Sequence, residues 1–180
     1  MAMNQRTPSK GSRHQPMRPN ATQLPIEDWT PELFDALIAT NLKGPFFLIR
    51  SLLPLFSRRS SIILIGSISA MIGHRHSSAY GASKAGLVAL ANGLSYELKD
   101  RGIRVNGISP GPIVTNALKA LGPEVQAALY EEFRNQVPIK RLGQAVEVAN
   151  AAVYLASDES AFNVAQVLRV DGGLGKVALD

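Results

Sequence analysis

The chain contains no cysteine among its 180 residues, which excludes disulfide bonds, thiolate metal sites and cysteine nucleophiles. Its only histidines are His14, His74 and His76, and none of them lies among carboxylates at metal-ligand spacing, so no metal site is predicted. No uninterrupted apolar run reaches the roughly 18 residues that a membrane helix needs, and no apolar signal segment stands at the amino terminus. These absences lead us to expect a cytoplasmic protein with no membrane contact.

Positive charge is concentrated at the amino terminus. The net charge is +5, and the first 20 residues hold four basic side chains (Arg6, Lys10, Arg13 and Arg18) and no acidic one. Because the rest of the chain is nearly balanced, we interpret residues 1–24 as a basic, disordered tail and residues 25–180 as one domain. A nucleic-acid-binding tail is the alternative interpretation, but nucleic acid is not the partner that this nearly neutral domain predicts.

Helix and strand signals alternate along the domain. Thr30-Pro31-Glu32 favours a helix start, and Gly44-Pro45 is expected to interrupt this helix before a second apolar stretch that continues to about Phe56. The further predictions, in chain order, are a strand over Ile62–Ile65, a helix over 78–99, a strand from Ile103 to about Ile108, two short helices and loops over 113–142 with Pro123 and Pro138 as breakers, a helix from about Val146 to Ala156, and a strand within "AQVLRVDGG". The order predicts an α/β fold of about three parallel strands with flanking helices.

Tyr80 and Lys84, in "YGASK", are the residues that most strongly suggest chemistry. They are four positions apart and share one helix face, where a lysine ammonium favours the phenolate form of tyrosine. Ser67 follows one predicted strand and Pro110-Gly111 follows the next, and the carboxyl ends of parallel strands meet at one sheet edge. We therefore expect these groups to converge. The alternative is a chance pair, because Tyr-x-x-x-Lys alone is a weak motif.

The ordered set of motifs resembles the short-chain dehydrogenase/reductase family over about residues 21–176. The matching stretches are "NLKGPFF", "IILIGSISA", "YGASK", "SPGPIVT" and "RLGQAVEVANAAVYLASDES…VLRVDGG". The resemblance implies part of a Rossmann-like doubly wound parallel sheet and an NAD(P)-dependent oxidoreductase that interconverts a carbonyl and a secondary alcohol. It implies Asn41, Ser67, Tyr80 and Lys84 as catalytic residues, and Tyr80, Lys84, Pro110, Gly111, Ile113 and Thr115 as cofactor-binding residues.

The roles that the resemblance implies are distinct. Tyr80 would be the acid or base, Ser67 would donate a hydrogen bond to the substrate oxygen, and Lys84 would also hold the nicotinamide ribose. Asn41 would hold a water in a proton relay to the lysine. Pro45 has no N–H, so the carbonyl of Asn41 loses its helical partner. This kink either serves that water or only shapes packing.

One family feature is missing from the chain. The glycine-rich turn that holds the cofactor phosphates, T-G-x-x-x-G-x-G, does not occur, and Gly11 and Gly44 are the only glycines before residue 60. The resemblance therefore indicates a domain without its amino-terminal cofactor-binding half, so that NAD and NADP both remain possible cofactors. The strand at Ile62–Ile65 would then have an unpaired edge. A non-catalytic remnant that dimerises or binds is the alternative function.

The expected partners are a small-molecule carbonyl or alcohol and a second copy of the chain. The resemblance implies a homo-oligomer formed through helices 30–56 and 78–99. Residues 113–142 are predicted to form a lid over the substrate. His74 and His76 either line the substrate pocket or are exposed in a loop, and Glu131 and Glu132 are interpreted as a solvated helix face.

Overall fold

The computed structural model describes residues 23–116 and 122–177. The predicted basic tail, residues 1–24, lies outside these residues except for its last two. The elements in chain order are α1 (Pro31–Ile38), a π-helical turn (Ala39–Lys43), α2 (Gly44–Leu52), β1 (Ser61–Ile65), α3 (Ser78–Glu97), β2 (Arg104–Pro110), β3 (Ile113–Val114), α4 (Pro123–Gln136), β4 (Gly143–Gln144), α5 (Ala145–Ala156) and β5 (Val167–Val170).

The three longer strands form one parallel sheet in the order β1-β2-β5. Ser61 aligns with Arg104, and Gly107 aligns with Val167. Helix α3 crosses from β1 to β2 and packs on the sheet through a buried cluster, which includes Ile62, Leu64, Leu87, Ala91, Leu94 and Val105. This arrangement confirms the predicted fold class. Within the described residues β1 has no strand on its outer side.

The interruption of the first long helix lies one turn earlier than predicted. The π-helical turn Ala39–Lys43 ends where the Gly44 N–H donates to the Ala39 carbonyl, five residues back. Pro45 follows this turn at the start of α2, and the helical backbone continues through it to Leu55. The helix therefore does not break at proline. Instead, the turn before the proline widens to accommodate it.

The region 113–142 differs most from its prediction. Pro123 begins the 14-residue helix α4 instead of breaking one. The short strands β3 and β4 pair in parallel and were not predicted, and β2 runs on through Pro110. A predicted first short helix of this region would include residues 117–121, which are outside the described part of the chain.

The continuous helical stretch Pro31–Leu55 is apolar on much of its surface. By length and composition it could span a membrane, although the sequence has no uninterrupted apolar run of that length. Only 11% of its most apolar window is buried within the chain. The largest exposed side chains on it are those of Phe34, Phe46, Phe47, Leu48, Leu52 and Leu55.

Candidate active site

Ser67 stands at the carboxyl edge of the sheet. The Gly66 N–H donates to the Ile108 carbonyl at 2.8 Å, so the pairing of β1 with β2 continues to the residue before Ser67. The Ser67 hydroxyl oxygen accepts from the Ser69 N–H at 3.2 Å and caps the helical turn Ile68–Ala70. Since the oxygen accepts in this bond, the hydroxyl proton remains free for another acceptor.

Tyr80 lies in the first turn of α3, which packs against that capped turn. The two segments touch at Gly81, where a Cβ atom would lie 2.5 Å from the Ser69 carbonyl oxygen. Only glycine permits this approach, because real Cβ atoms do not come so close to a backbone oxygen. The contact brings the loop that carries Ser67 against the helix turn that carries Tyr80.

Lys84 lies one turn further along α3, and its Nζ is 5.8 Å from the centre of the Tyr80 ring. Its ammonium donates to the carbonyl of Ile65, the last residue of β1, at 3.0 Å. Burial lowers the pKa of Lys84, because desolvation penalises the charged form. An ammonium has three donors, so two remain after the bond to Ile65.

Asn41 is linked to α3 through a buried serine. Its Nδ2 donates to the Ser83 hydroxyl oxygen at 3.0 Å, and that hydroxyl donates to the Tyr80 carbonyl at 2.7 Å. The Ser83 hydroxyl has a single proton, which it donates to the Tyr80 carbonyl. The Ser83 oxygen must therefore accept the hydrogen bond from Asn41. The side-chain oxygen of Asn41 consequently points away from Ser83. The π-helical turn thus fastens the asparagine to the helix of Tyr80 and Lys84.

The loop after β2 forms the other side of the site. The Gly111 N–H donates to the Val170 carbonyl at 3.0 Å, and a Cβ on Gly111 would lie 2.8 Å from the Cα of Asp171. Asp171 is in turn held by the Arg169 guanidinium, whose Nε donates to it at 2.6 Å. This loop therefore packs closely on the end of β5.

A cleft of about 810 Å³ opens between these segments. Of the residues predicted from the sequence, it is lined by Ser67, Tyr80, Gly111, Ile113 and Thr115. Asn41, Lys84 and Pro110 lie outside the lining. Asn41 and Lys84 still connect to Tyr80 through the contacts described above, whereas Pro110 is the last residue of β2. The structure therefore brings five of the eight predicted positions to one surface.

The cleft also includes residues that the sequence did not assign to it. Glu132 lines the cleft, although the sequence suggested a solvated helix face. His74 also lines it, and for this residue the sequence allowed either the substrate pocket or an exposed loop. The other polar residues that line it are Gln23, Ser69, Arg75 and Gln136. No local motif marks these residues, because helix α4 and the loop before α3 meet only in the folded chain.

A capping box at the start of α5 was not predicted, although its residue spacing can be recognised in the sequence. Arg141 pairs with both oxygens of Glu147, at 2.8 and 2.6 Å, and Glu147 accepts from the Gln144 N–H at 2.7 Å. Gln144 and Glu147 form a capping box, for which a Gln-x-x-Glu spacing is a variant signature. Arg141 lowers the pKa of Glu147 to about 2 by hydrogen bonding. This cap lies beside β3 and β4, next to Ile113.

Residues 17–175 match a protein-family model described as Enoyl-(Acyl carrier protein) reductase. The chain is 42% identical over 85% of its length to the oxidoreductase asL5 of Sarocladium schorii. It is 38% identical over 82% of its length to the glucose and ribitol dehydrogenase of Daucus carota, and 36% identical over 78% to a 3-oxoacyl-[acyl-carrier-protein] reductase of Buchnera aphidicola. It spans 61%, 50% and 57% of these three relatives.

Two solved structures of dehydrogenases also resemble this chain. The aldohexose dehydrogenase of Thermoplasma acidophilum superposes with a TM-score of 0.80 at 29% identity, over 88% of this chain and 65% of that one. A short chain dehydrogenase family protein of Francisella tularensis superposes with a TM-score of 0.78 at 25% identity, over 84% of this chain and 65% of that one.

Proposed function

Because this chain belongs to the short-chain dehydrogenase/reductase family, we propose that it carries the catalytic part of an NAD(P)-dependent oxidoreductase. The reaction is the interconversion of a carbonyl and a secondary alcohol. The observation that carries the proposal is the convergence of Ser67 and Tyr80 on one cleft with the loop after β2. Coincidence in sequence would not bring a strand end, a helix start and a second strand end to one cavity.

Tyr80 and Ser67 divide the work at the substrate oxygen. When bound, the nicotinamide cofactor supplies the hydride for reduction of the carbonyl carbon, or accepts it for oxidation of the alcohol. In reduction the Tyr80 hydroxyl gives its proton to the carbonyl oxygen, and in oxidation the phenolate takes the alcohol proton. Ser67, with its proton free, donates to that same oxygen as negative charge develops on it.

Lys84 and Asn41 support Tyr80 from the side of the helix. The two unused donors of the Lys84 ammonium are available to the ribose of a cofactor and to water, and its charge favours the phenolate that Tyr80 becomes. Asn41, held by Ser83, keeps its side-chain oxygen free to accept a hydrogen bond. We infer that this oxygen accepts a hydrogen bond from the water of the proton relay.

The residues at the nicotinamide end fit a cofactor. The cleft volume of about 810 Å³ lies within the range of small-molecule and cofactor sites, roughly 300–1,000 Å³. Gly111, Ile113 and Thr115 line it beside Tyr80, where they would contact the nicotinamide, and Pro110 would fix the approach of their loop. The 180-residue chain carries no glycine-rich turn for the phosphates. The fit is therefore specific to the nicotinamide end.

Dimerisation is part of the proposal. A largely apolar groove of about 410 Å³ lies between the stretch Pro31–Leu55 and α3, and its lining residues are Ile38, Leu42, Lys43, Phe46, Gly86 and Leu90. Exposed apolar surface on two adjoining helices is typical of an interface. We expect a second copy to cover it, and light scattering at micromolar concentration should give twice the chain mass of 19.3 kDa.

The experiment that tests the function is a titration of the purified chain with NADH and with NADPH, followed by nicotinamide fluorescence. We expect a saturable change with one of the two cofactors, and weaker affinity in Lys84→Ala. The matched control is Lys99→Ala, since Lys99 lies over Tyr96 at the far end of the helical region. The absence of binding at millimolar concentrations of both cofactors would refute catalysis by this chain.

A further inference from the structure

The walls of the cleft carry polar groups that the reaction itself does not use. The loop before α3 contributes His74 and Arg75, and helix α4 contributes Glu132 and Gln136. A carbonyl reaction needs only Ser67, Tyr80 and their supports. The additional polar groups are therefore available to bind the rest of the substrate.

Opposite charges line the cleft without meeting. Among the described residues, Arg75 and Glu132 join none of the four ion pairs, which are formed by Arg59 with Asp158, Arg134 with Glu131, Arg141 with Glu147, and Arg169 with Asp171. Gln136 reaches Glu132 only at 3.5 Å, the outer limit for a hydrogen bond. Both charged side chains are exposed, so a substrate that enters the cleft would displace water from them.

Different substrates would replace that water differently. An aliphatic chain would remove water from Arg75 and Glu132 and leave both without partners, which costs free energy for each group. An anion would satisfy Arg75 but repel Glu132. A neutral chain of hydroxyl groups would satisfy both, because each hydroxyl can accept from the guanidinium or donate to the carboxylate. Phe133, which also lines the cleft, can pack on the C–H face of such a chain.

On this ground we propose that the cleft selects a polyhydroxylated substrate, a polyol or the corresponding hydroxylated carbonyl compound, through Arg75 and Glu132. The proposal rests on the proposed function for its chemistry. Arg75 and Glu132 act as specificity-determining residues, which contact the substrate away from the reacting carbon. Oxidation removes a hydride from the carbinol carbon to NAD(P) and the hydroxyl proton to Tyr80, so these residues take no part in the transfer.

The test compares two secondary alcohols of equal carbon number, ribitol and a secondary pentanol, by kcat/KM with the full chain and its preferred cofactor. We expect ribitol to be preferred by at least about 100-fold, because sites that bind hydroxyl groups reject analogues lacking them. Arg75→Met and Glu132→Met should each reduce that preference about 10-fold or more. Glu124→Met is the matched control, since Glu124 is exposed on the same helix and does not line the cleft.

The results of this comparison distinguish the polyol assignment from the proposed function. Preference for the pentanol, or a preference unchanged in both cleft variants, would overturn the polyol assignment while leaving the oxidoreductase intact. If neither alcohol is turned over, the cofactor titration decides about the proposed function, and calorimetry with ribitol decides about the cleft. Binding that is weakened by Arg75→Met but not by Glu124→Met would then support the assignment, and no binding at millimolar ribitol would overturn it.

Discussion

The two ends of the central sheet differ in how far their polar side chains are hydrogen-bonded within the chain. At the amino end, the Arg104 guanidinium donates to the Leu155 and Ser157 carbonyls and to the Ser160 hydroxyl, at 3.0 to 3.1 Å. At the carboxyl end, the Tyr80 hydroxyl makes no hydrogen bond within the described residues, and Ser67 keeps its proton free. The Arg104 bonds at the amino end stabilise the fold, whereas the hydroxyl protons of Tyr80 and Ser67 at the carboxyl end remain available to a ligand.

The sharpest way to separate the two ends is Tyr80→Phe. We expect turnover to fall by roughly 10² to 10⁴-fold, because the acid/base group is lost. The free energy of unfolding should change by less than about 0.5 kcal/mol, since no hydrogen bond among the described residues is broken. Steady-state kinetics and urea denaturation on the same preparation measure both. Retained turnover would contradict the assigned role of Tyr80.

Asn106→Ala should show the reverse behaviour. Asn106 is fully buried on β2, donates to the Asn163 carbonyl at 2.9 Å and accepts from the Gln166 N–H at 3.0 Å. Removing it deletes both hydrogen bonds at a fully buried position, so the free energy of unfolding should fall by about 2 kcal/mol. Urea denaturation measures the loss. Asn150→Ala, at an exposed position of α5, is the control, and an equal loss there would refute the interpretation.

Gly81→Ala tests the contact that joins the two segments of the site. The added Cβ would collide with the Ser69 carbonyl oxygen, and relief of the clash should cost about 1–3 kcal/mol of stability and displace the Ser67 loop. Gly93 lies in the same helix with nothing within 4 Å of an added Cβ. Gly93→Ala should instead stabilise by about 1 kcal/mol, from helix propensity alone. Thermal unfolding of the pair distinguishes them, and two stabilised variants would rule out the close contact.

The smallest expected effect concerns the cap beside β4. Arg141 lowers the pKa of Glu147 from 4.5 to about 2, so this pair stabilises the folded chain fully above pH 4.5 and loses its contribution as the pH falls through about 2. Glu147→Gln should therefore lower stability at neutral pH and flatten its decline in acid. Urea denaturation from pH 7 to pH 2 measures this. Parallel curves for the two proteins would show that the pair does not contribute.

The sequence predicted those parts of the site that follow from general rules of the fold. Ser67 and Gly111 were expected to share one edge because parallel strands end together, and the structure agrees. The hydrogen bond from Asn41 to Ser83 was not predictable, since the two residues are 42 positions apart and lie in different helical segments. Pro123 was misinterpreted because proline both ends helices and starts them. The strands β3 and β4 have two residues each, too few to produce a periodic pattern.

The widened turn at Ala39–Lys43 sets the rotational phase between the two helices that it joins. Each residue of an α-helix advances the side-chain direction by about 100°, so one additional residue in a turn rotates everything after it by that amount. An apolar stripe drawn continuously through α1 and α2 would therefore be misplaced on α2. The same geometry predicts that this turn tolerates substitution better than insertion or deletion. Adding or removing one residue would rotate the face of α2 away from α3.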